Sequence, residues 1–244
     1  MKKKHWMVKT GNFLFRYRGQ IPVFFFLLAL VFVIIFPRNP GQGENLRIFF
    51  YFLVSLTGLF IRIDTIGHVP PGTSGRNRTR QVAETLNTSG WYSIFRHPLY
   101  IANYLLYLGP LLLTESVVFI LFYLVILGMY YKLISLAEDD FLAGKFGDVF
   151  TSWESKTPAF LPVFNHYKPP LYPFSLKKVL INEYHMILEI PLAFTAMITA
   201  RIYGLTGRFH VPIFWIVVLA VTIVVWIAME IYHHHEKRKW QVQT

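Results

Sequence analysis

The chain has 244 residues, of which 54% are hydrophobic, 18% aromatic and only 15% charged, against about 25% charged in soluble domains. Its mean hydropathy is +0.42, which predicts a multi-pass integral membrane protein. A net charge of +11 with no cysteine excludes disulfides, iron–sulfur clusters, cysteine zinc sites and a cysteine nucleophile.

The basic residues lie between apolar runs and form no domain of their own. The positive-inside rule and anionic lipid account for them, and nucleic acid is not an expected partner. The first nineteen residues, MKKKHWMVKTGNFLFRYRG, are basic and lead into a long apolar run. That run is long for a signal peptide and ends in FPRNP instead of a cleavage site, so it is read as a first span over about 21–36. Further apolar runs follow at about 46–61, 98–113, 116–136, 179–200 and 211–232. The predicted fold is therefore all-α, a transmembrane bundle of about six spans with a small cytoplasmic helical lid. Several runs fall short of the ~20 residues that cross a bilayer core, and flanking aromatic and basic residues extend them.

Orientation follows from Lys and Arg. They crowd the N-terminal segment, the stretches between spans two and three and between spans four and five, and the C-terminal segment. The opposite loops hold only Arg38, Arg47, Arg201 and Arg208. Both termini are predicted to be cytoplasmic, in the inner membrane if the source is bacterial.

Residues 90–104, GWYSIFRHPLYIANY, place Arg96 and His97 at the threshold of an apolar run, with Tyr92 and Tyr100 beside them. Ionisable groups at a bilayer boundary are anchors or parts of a site. Pro98 suits the first turn of a helix, so the helix is predicted to start there, with Arg96 and His97 just outside an end that favours anions. Spans three and four then form a tight hairpin turning at Thr114-Glu115. The turn brings Glu138-Asp139, at the end of one helix, close to Arg96-His97 at the start of the other.

This stretch resembles the RHPxYxG signature of the isoprenylcysteine carboxyl methyltransferase and phospholipid methyltransferase families. The resemblance continues through the hairpin to Glu138-Asp139, Phe146-Gly147, Phe150, Trp153, Pro158 and Leu161-Pro162, and covers roughly residues 85–165. Ala102 stands where the signature has glycine, and Asp139 where the second glutamate is usual. The resemblance implies three parts: an N-terminal hairpin and loop over 1–84, a methyltransferase core with the cofactor site over 85–165, and a C-terminal hairpin over 166–244.

It further implies an S-adenosylmethionine-dependent methyltransferase that modifies a lipid or lipidated acceptor held in the bilayer, with no metal. Arg96, His97 and Glu138 are the implied catalytic residues. Tyr92, Arg96, His97, Tyr100, Glu138 and Asp139 are the implied cofactor residues. The chemistry agrees: Arg or His suits the cofactor's carboxylate, an acidic residue its ammonium, and a tyrosine face its sulfonium. Taken singly, each of these residues also reads as an interfacial anchor. Arg76, Arg78, Arg80 and Lys156 are candidates for the acceptor's anionic group, although positive-inside topology is the favoured account of the three arginines and snorkelling accounts at least equally well for Lys156.

The acceptor head group stays open among carboxylate, phosphate and amine. Glu183, His185 and Glu189 lie in or near the fifth span and either line an acceptor cavity or pair with one another. His233, His234 and His235 are consecutive on a helix and point apart, which argues against a shared metal. The alternative reading is an NADPH-dependent sterol-type reductase, which carries a similar RHP-Tyr stretch. The acidic pair after the hairpin looks more like the methyltransferases.

Overall fold

The computed structural model describes residues 2–70 and 81–242, with side chains described from 5 to 235. The described residues form nine α-helices and no strand. They are α1 (Lys2–Phe15), α2 (Gln20–Ile35), α3 (Glu44–His68), α4 (Pro98–Leu111), α5 (Val117–Phe146), α6 (Asp148–Glu154), α7 (Leu176–Glu183), α8 (His185–Thr206) and α9 (Ile213–Val242).

Six apolar helices, α2, α3, α4, α5, α8 and α9, run between two ends of the bundle. Four of them, α3, α5, α8 and α9, are long and apolar enough to cross a membrane. The shorter α2 reaches that length only together with α1, across a bend of 71°. The 14 residues of α4 fall below the ~20 needed alone. Both terminal helices reach the end that carries the signature: Gly11 of α1 lies against Leu133 and Ala137 of α5, and His233 of α9 lies 5.4 Å from the Tyr184 ring at the start of α8.

The start of the fifth span and the packing of the α4–α5 hairpin differ from the sequence reading. The fifth span starts later, because residues 176–183 form the separate helix α7, capped by the Ser175 hydroxyl accepting from the Lys178 amide at 3.3 Å. The hairpin between α4 and α5 turns at Glu115, which adopts φ 46°, but α4 packs chiefly on α3. The reason is side-chain size. At Gly58 and Gly109 a Cβ would sit 2.5 Å from the Ala102 carbonyl oxygen and 2.1 Å from Ser55 Oγ. Small residues thus let the α3 and α4 backbones meet, as membrane helices do without a hydrophobic drive. The Ser55 hydroxyl donates to the Leu106 carbonyl at 2.8 Å across that seam.

Ala102, fully buried, takes the place of the signature glycine, and Gly58 opposite supplies the missing room. Between α4 and α5, bulky tyrosines set the spacing. Tyr104 donates to the Leu124 carbonyl at 2.8 Å, Tyr123 donates to the Tyr104 carbonyl at 2.9 Å, and Tyr100 stacks on Tyr131 with centroids 5.0 Å apart.

At the opposite end, Arg47 pairs with Glu115 at 3.0 Å and Arg201 with Glu44. These contacts tie α3 to the α4–α5 turn and to α8.

Candidate functional site

The site begins with the N-terminus of α4. Pro98 is its first residue and His97 its cap, because proline lacks the N–H that would otherwise be orphaned there. The backbone just before it is zipped to the segment that follows α6. The Arg96 amide donates to the Pro158 carbonyl at 2.9 Å, the His97 amide to Ala159 at 3.3 Å, and the Val163 amide to Ile94 at 3.0 Å. Further back, the Gly90 amide donates to the Lys168 carbonyl at 2.9 Å, and the Trp153 indole donates to the Tyr92 carbonyl at 3.1 Å. The proline-rich close of the motif is therefore a strap laid along the signature.

Side chains from α4 and α5 meet beneath it. Tyr100 donates its hydroxyl to Glu138 Oε1 at 2.7 Å. His97 Nδ1 lies 3.3 Å from Glu138 Oε2, and its Nε2 lies 3.0 Å from Asp139 Oδ1. Arg96 grips Asp139 with Nε and Nη2 at 3.3 and 2.8 Å, while its Nη1 donates to the Thr157 carbonyl at 2.7 Å and the Glu154 carbonyl at 3.3 Å. Five predicted residues, Arg96, His97, Tyr100, Glu138 and Asp139, thus form one connected network, and Tyr92 shares their cavity. All three guanidinium nitrogens of Arg96 are engaged within the protein.

His97 is buried, which opposes its charge. The hydrogen bonds it donates to Asp139 and Glu138 outweigh that cost and raise its pKa to about 8. The imidazole is thus cationic at neutral pH and donates from both nitrogens. Burial raises the Tyr92 hydroxyl well above its usual value, with the negative charge of Glu138 adding to the effect. Glu138 differs from Asp139 in access: its side chain is 26% exposed against 10%, and it lines the cavity.

That cavity holds about 880 Å³, near the upper end of the range for small-molecule sites. It follows α4 from Pro98 to Leu111, roughly 20 Å at the helical rise. One side is walled by Pro22, Val23 and Phe26 of α2, the other by Leu192, Ala193 and Ala196 of α8. Val23 and Leu192 are half exposed, at 50% and 51%, so the cavity has an apolar lateral mouth between α2 and α8.

A second polar group lies along the same wall and was not assembled from the sequence. Arg62 of α3 donates to Glu183 Oε2 and Oε1 at 2.5 and 2.9 Å, and also to the Asn103 side chain. Glu183 therefore pairs with Arg62 and not with Glu189. Of the remaining candidates, Lys156 is exposed and its side chain does not line the cavity. Arg76, Arg78 and Arg80 lie outside the described residues. His234 pairs with Glu230 at 2.9 Å while His233 packs on Tyr184. Among the described residues no group of three or more potential metal ligands was found.

The site residues fit part of an S-adenosylmethionine molecule on this geometry. Glu138 presents a carboxylate into the cavity for an ammonium, and Tyr92, Tyr100 and Trp153 offer aromatic faces to a sulfonium.

The chain was compared with known proteins once this geometry was established. The phospholipid methyltransferase family matches residues 72–149. A cobalt-zinc-cadmium resistance protein, CzcN, of Cupriavidus metallidurans is 35% identical over 162 residues, covering 64% of this chain and 69% of that protein. A nickel-cobalt-cadmium resistance protein, NccN, of Alcaligenes xylosoxydans xylosoxydans is 34% identical over 89 residues, covering 36% of this chain and 39% of its own length. No solved structure matches. The chain belongs to the phospholipid methyltransferase family, a family of membrane methyltransferases.

Proposed function

We propose that this chain is an S-adenosylmethionine-dependent methyltransferase acting on a lipid or lipidated acceptor that enters from the bilayer. The observation that carries the reading is Glu138. It is a carboxylate fixed on both oxygens by Tyr100 and His97, yet open to a cavity that continues into an apolar mouth. When bound, S-adenosylmethionine supplies a methyl group on a sulfonium. The residues position and exclude: methyl transfer to a nucleophile needs alignment and a dry site more than a strong base.

In this reading Glu138 takes the cofactor's ammonium, with Tyr92, Tyr100 and Trp153 flanking the sulfonium. Cationic His97 holds Glu138 and Asp139 in register and adds positive potential for the cofactor carboxylate. Arg96 acts through Asp139 and the strap, closing the site against water. Asp139 keeps Arg96 and His97 in place. The apolar wall of α4 and α8 takes the acceptor's chain. Lys156, Arg76, Arg78 and Arg80 serve an anionic part of the acceptor only where the strap and the loop before the signature reach it.

In this reading the signature end, with both termini, faces the cytoplasm, where the soluble cofactor is found; the Lys/Arg distribution supports it. The three sequence parts then divide the work: 1–84 forms one wall, 85–165 the cofactor site and 166–244 the acceptor wall. The resistance proteins are named for cobalt, zinc, cadmium and nickel, and this reading assigns this chain no metal.

Isothermal calorimetry of the detergent-purified protein tests it. S-adenosylhomocysteine is expected to bind, and binding is expected to weaken about ten- to a hundredfold in Glu138→Gln. NADPH binding with no S-adenosylhomocysteine binding would replace this reading with the reductase one.

A further inference from the structure

Residues 155–182 contain four lysines and no Asp or Glu. The part of this stretch that links α6 to α7 is held at intervals through its backbone. The Lys168 and Leu171 amides donate to the Ser93 and Ser89 hydroxyls at 2.9 and 3.2 Å. Farther on, the Ser175 amide donates to the Gly67 carbonyl at 2.9 Å, and His68 Nδ1 donates to the Tyr172 carbonyl at 2.8 Å. The Phe174 ring lies 5.4 Å from the His68 ring. The backbone is thus fixed to the signature at one end and to the last turn of α3 at the other. Its large side chains nevertheless face outward. Leu161, Phe164, Tyr167, Leu171 and Leu176 are between 56% and 78% exposed. Lys156 and Lys168, exposed as well, flank the first three.

Single exposed apolar residues are ordinary, but a run of them on one pinned segment is a patch. Its place decides what covers it. Helix α3 has 25 residues, roughly 37 Å at 1.5 Å per residue, and so exceeds the ~30 Å hydrocarbon core. Its last residues, Gly67 and His68, therefore reach head-group level, and so does the segment bonded to them. Pro162, Pro169, Pro170 and Pro173 lack an N–H, so fewer backbone donors lose water when the segment lies in the interface. We propose that residues 161–176 form an interfacial arm that binds anionic phospholipid. The apolar side chains enter between the head groups, and Lys156 and Lys168 meet the phosphates. Four lysines without one carboxylate select an anionic surface over a zwitterionic one. The arm stands apart from the proposed function and holds whatever the cavity binds.

The chain has no cysteine, so Leu171→Cys offers a single thiol for a nitrobenzoxadiazole label. Val149→Cys, at a position on α6 that is 65% exposed and follows Asp148, is the reference outside the arm. Each labelled protein is reconstituted in phosphatidylcholine vesicles with or without phosphatidylglycerol, and the label is quenched with 5-doxyl lipid. Label at position 171 should be quenched strongly with phosphatidylglycerol and weakly without it, and label at position 149 in neither. Lys156→Gln with Lys168→Gln should lower the ratio of surface-bound to solvent-exposed arm about fivefold per lysine. All the substituted side chains are exposed, so the core is untouched. Equal quenching in the two vesicles, equal quenching at the two positions, or no response to lysine removal overturns the arm. Disulfide-linked dimers of unlabelled Leu171→Cys in place of quenching would give this face to a second copy of the chain and overturn it as well.

Discussion

Two ionic clusters face the same cavity, and they are built on opposite plans. The signature cluster draws Arg96, His97, Tyr100, Glu138 and Asp139 from the facing ends of α4 and α5, and one of its carboxylates stays accessible. The Arg62–Glu183–Asn103 cluster joins α3, α4 and α7, and its carboxylate is closed off, with the Glu183 side chain 3% exposed. In the first, a carboxylate is held on both oxygens and still open to the cavity. In the second, a carboxylate is held so that it cancels a buried guanidinium. Buried ion pairs of that kind contribute little net stability, yet breaking one leaves an uncompensated charge. The difference teaches that two fully partnered carboxylates on one cavity differ in access, and access is what separates a candidate ligand group from a charge-cancelling one.

The comparison can be broken most forcefully at Arg62. Arg62→Ala strands Glu183 and should destabilise the protein by about 3–5 kcal/mol in thermal denaturation, whereas Arg62→Met with Glu183→Leu should recover most of the loss. A double variant as unstable as the single one would mean the pair does more than cancel charge.

Next in size is Glu138→Gln. It should reduce S-adenosylhomocysteine affinity about ten- to a hundredfold and lower the melting temperature less than Arg62→Ala does. A large loss of stability with unchanged affinity would turn the signature cluster into a second structural pair.

His97 gives the third handle. Its folded pKa of about 8 stands above the usual 6.5. Its stabilising contribution is therefore complete below about pH 6.5 and lost as pH rises through about 8, amounting to about 2 kcal/mol. Melting temperatures should fall across that window in the parent, and His97→Gln should flatten the fall.

The smallest effect is expected at Lys156, exposed on the strap. Lys156→Ala should change stability by less than about 0.5 kcal/mol, and a large change in lipid methylation would move it from surface to site.

Much of the signature cluster was legible in the sequence. Pro98 announced the start of a helix, and the turn at Thr114-Glu115 set Glu138-Asp139 opposite Arg96-His97. What sequence spacing did not carry was the destination of Arg96's donors. They reach the carbonyls of Glu154 and Thr157, and backbone acceptors have no residue-type signature. Arg62 was equally hidden: it read as one more positive charge beside a span, and its partner lies 121 residues away. Glu183 and Glu189 looked alike as acids near one span. The break at Tyr184 between α7 and α8 separates them, turning one toward α3 and leaving the other on the cavity wall. The α4–α5 hairpin was legible as connectivity but not as packing, because Gly58, Ser55 and Gly109 decide the closer neighbour.

Gly204 of α8 meets α2 so closely that a Cβ there would fall 2.6 Å from the Ile34 carbonyl oxygen. This contact is at the far ends of both helices, while Val23 and Leu192, nearer their other ends, both line the cavity. The two helices therefore approach each other backbone to backbone at the end away from the signature. A larger side chain at Gly204 would force α2 and α8 apart there without touching a residue of the signature cluster.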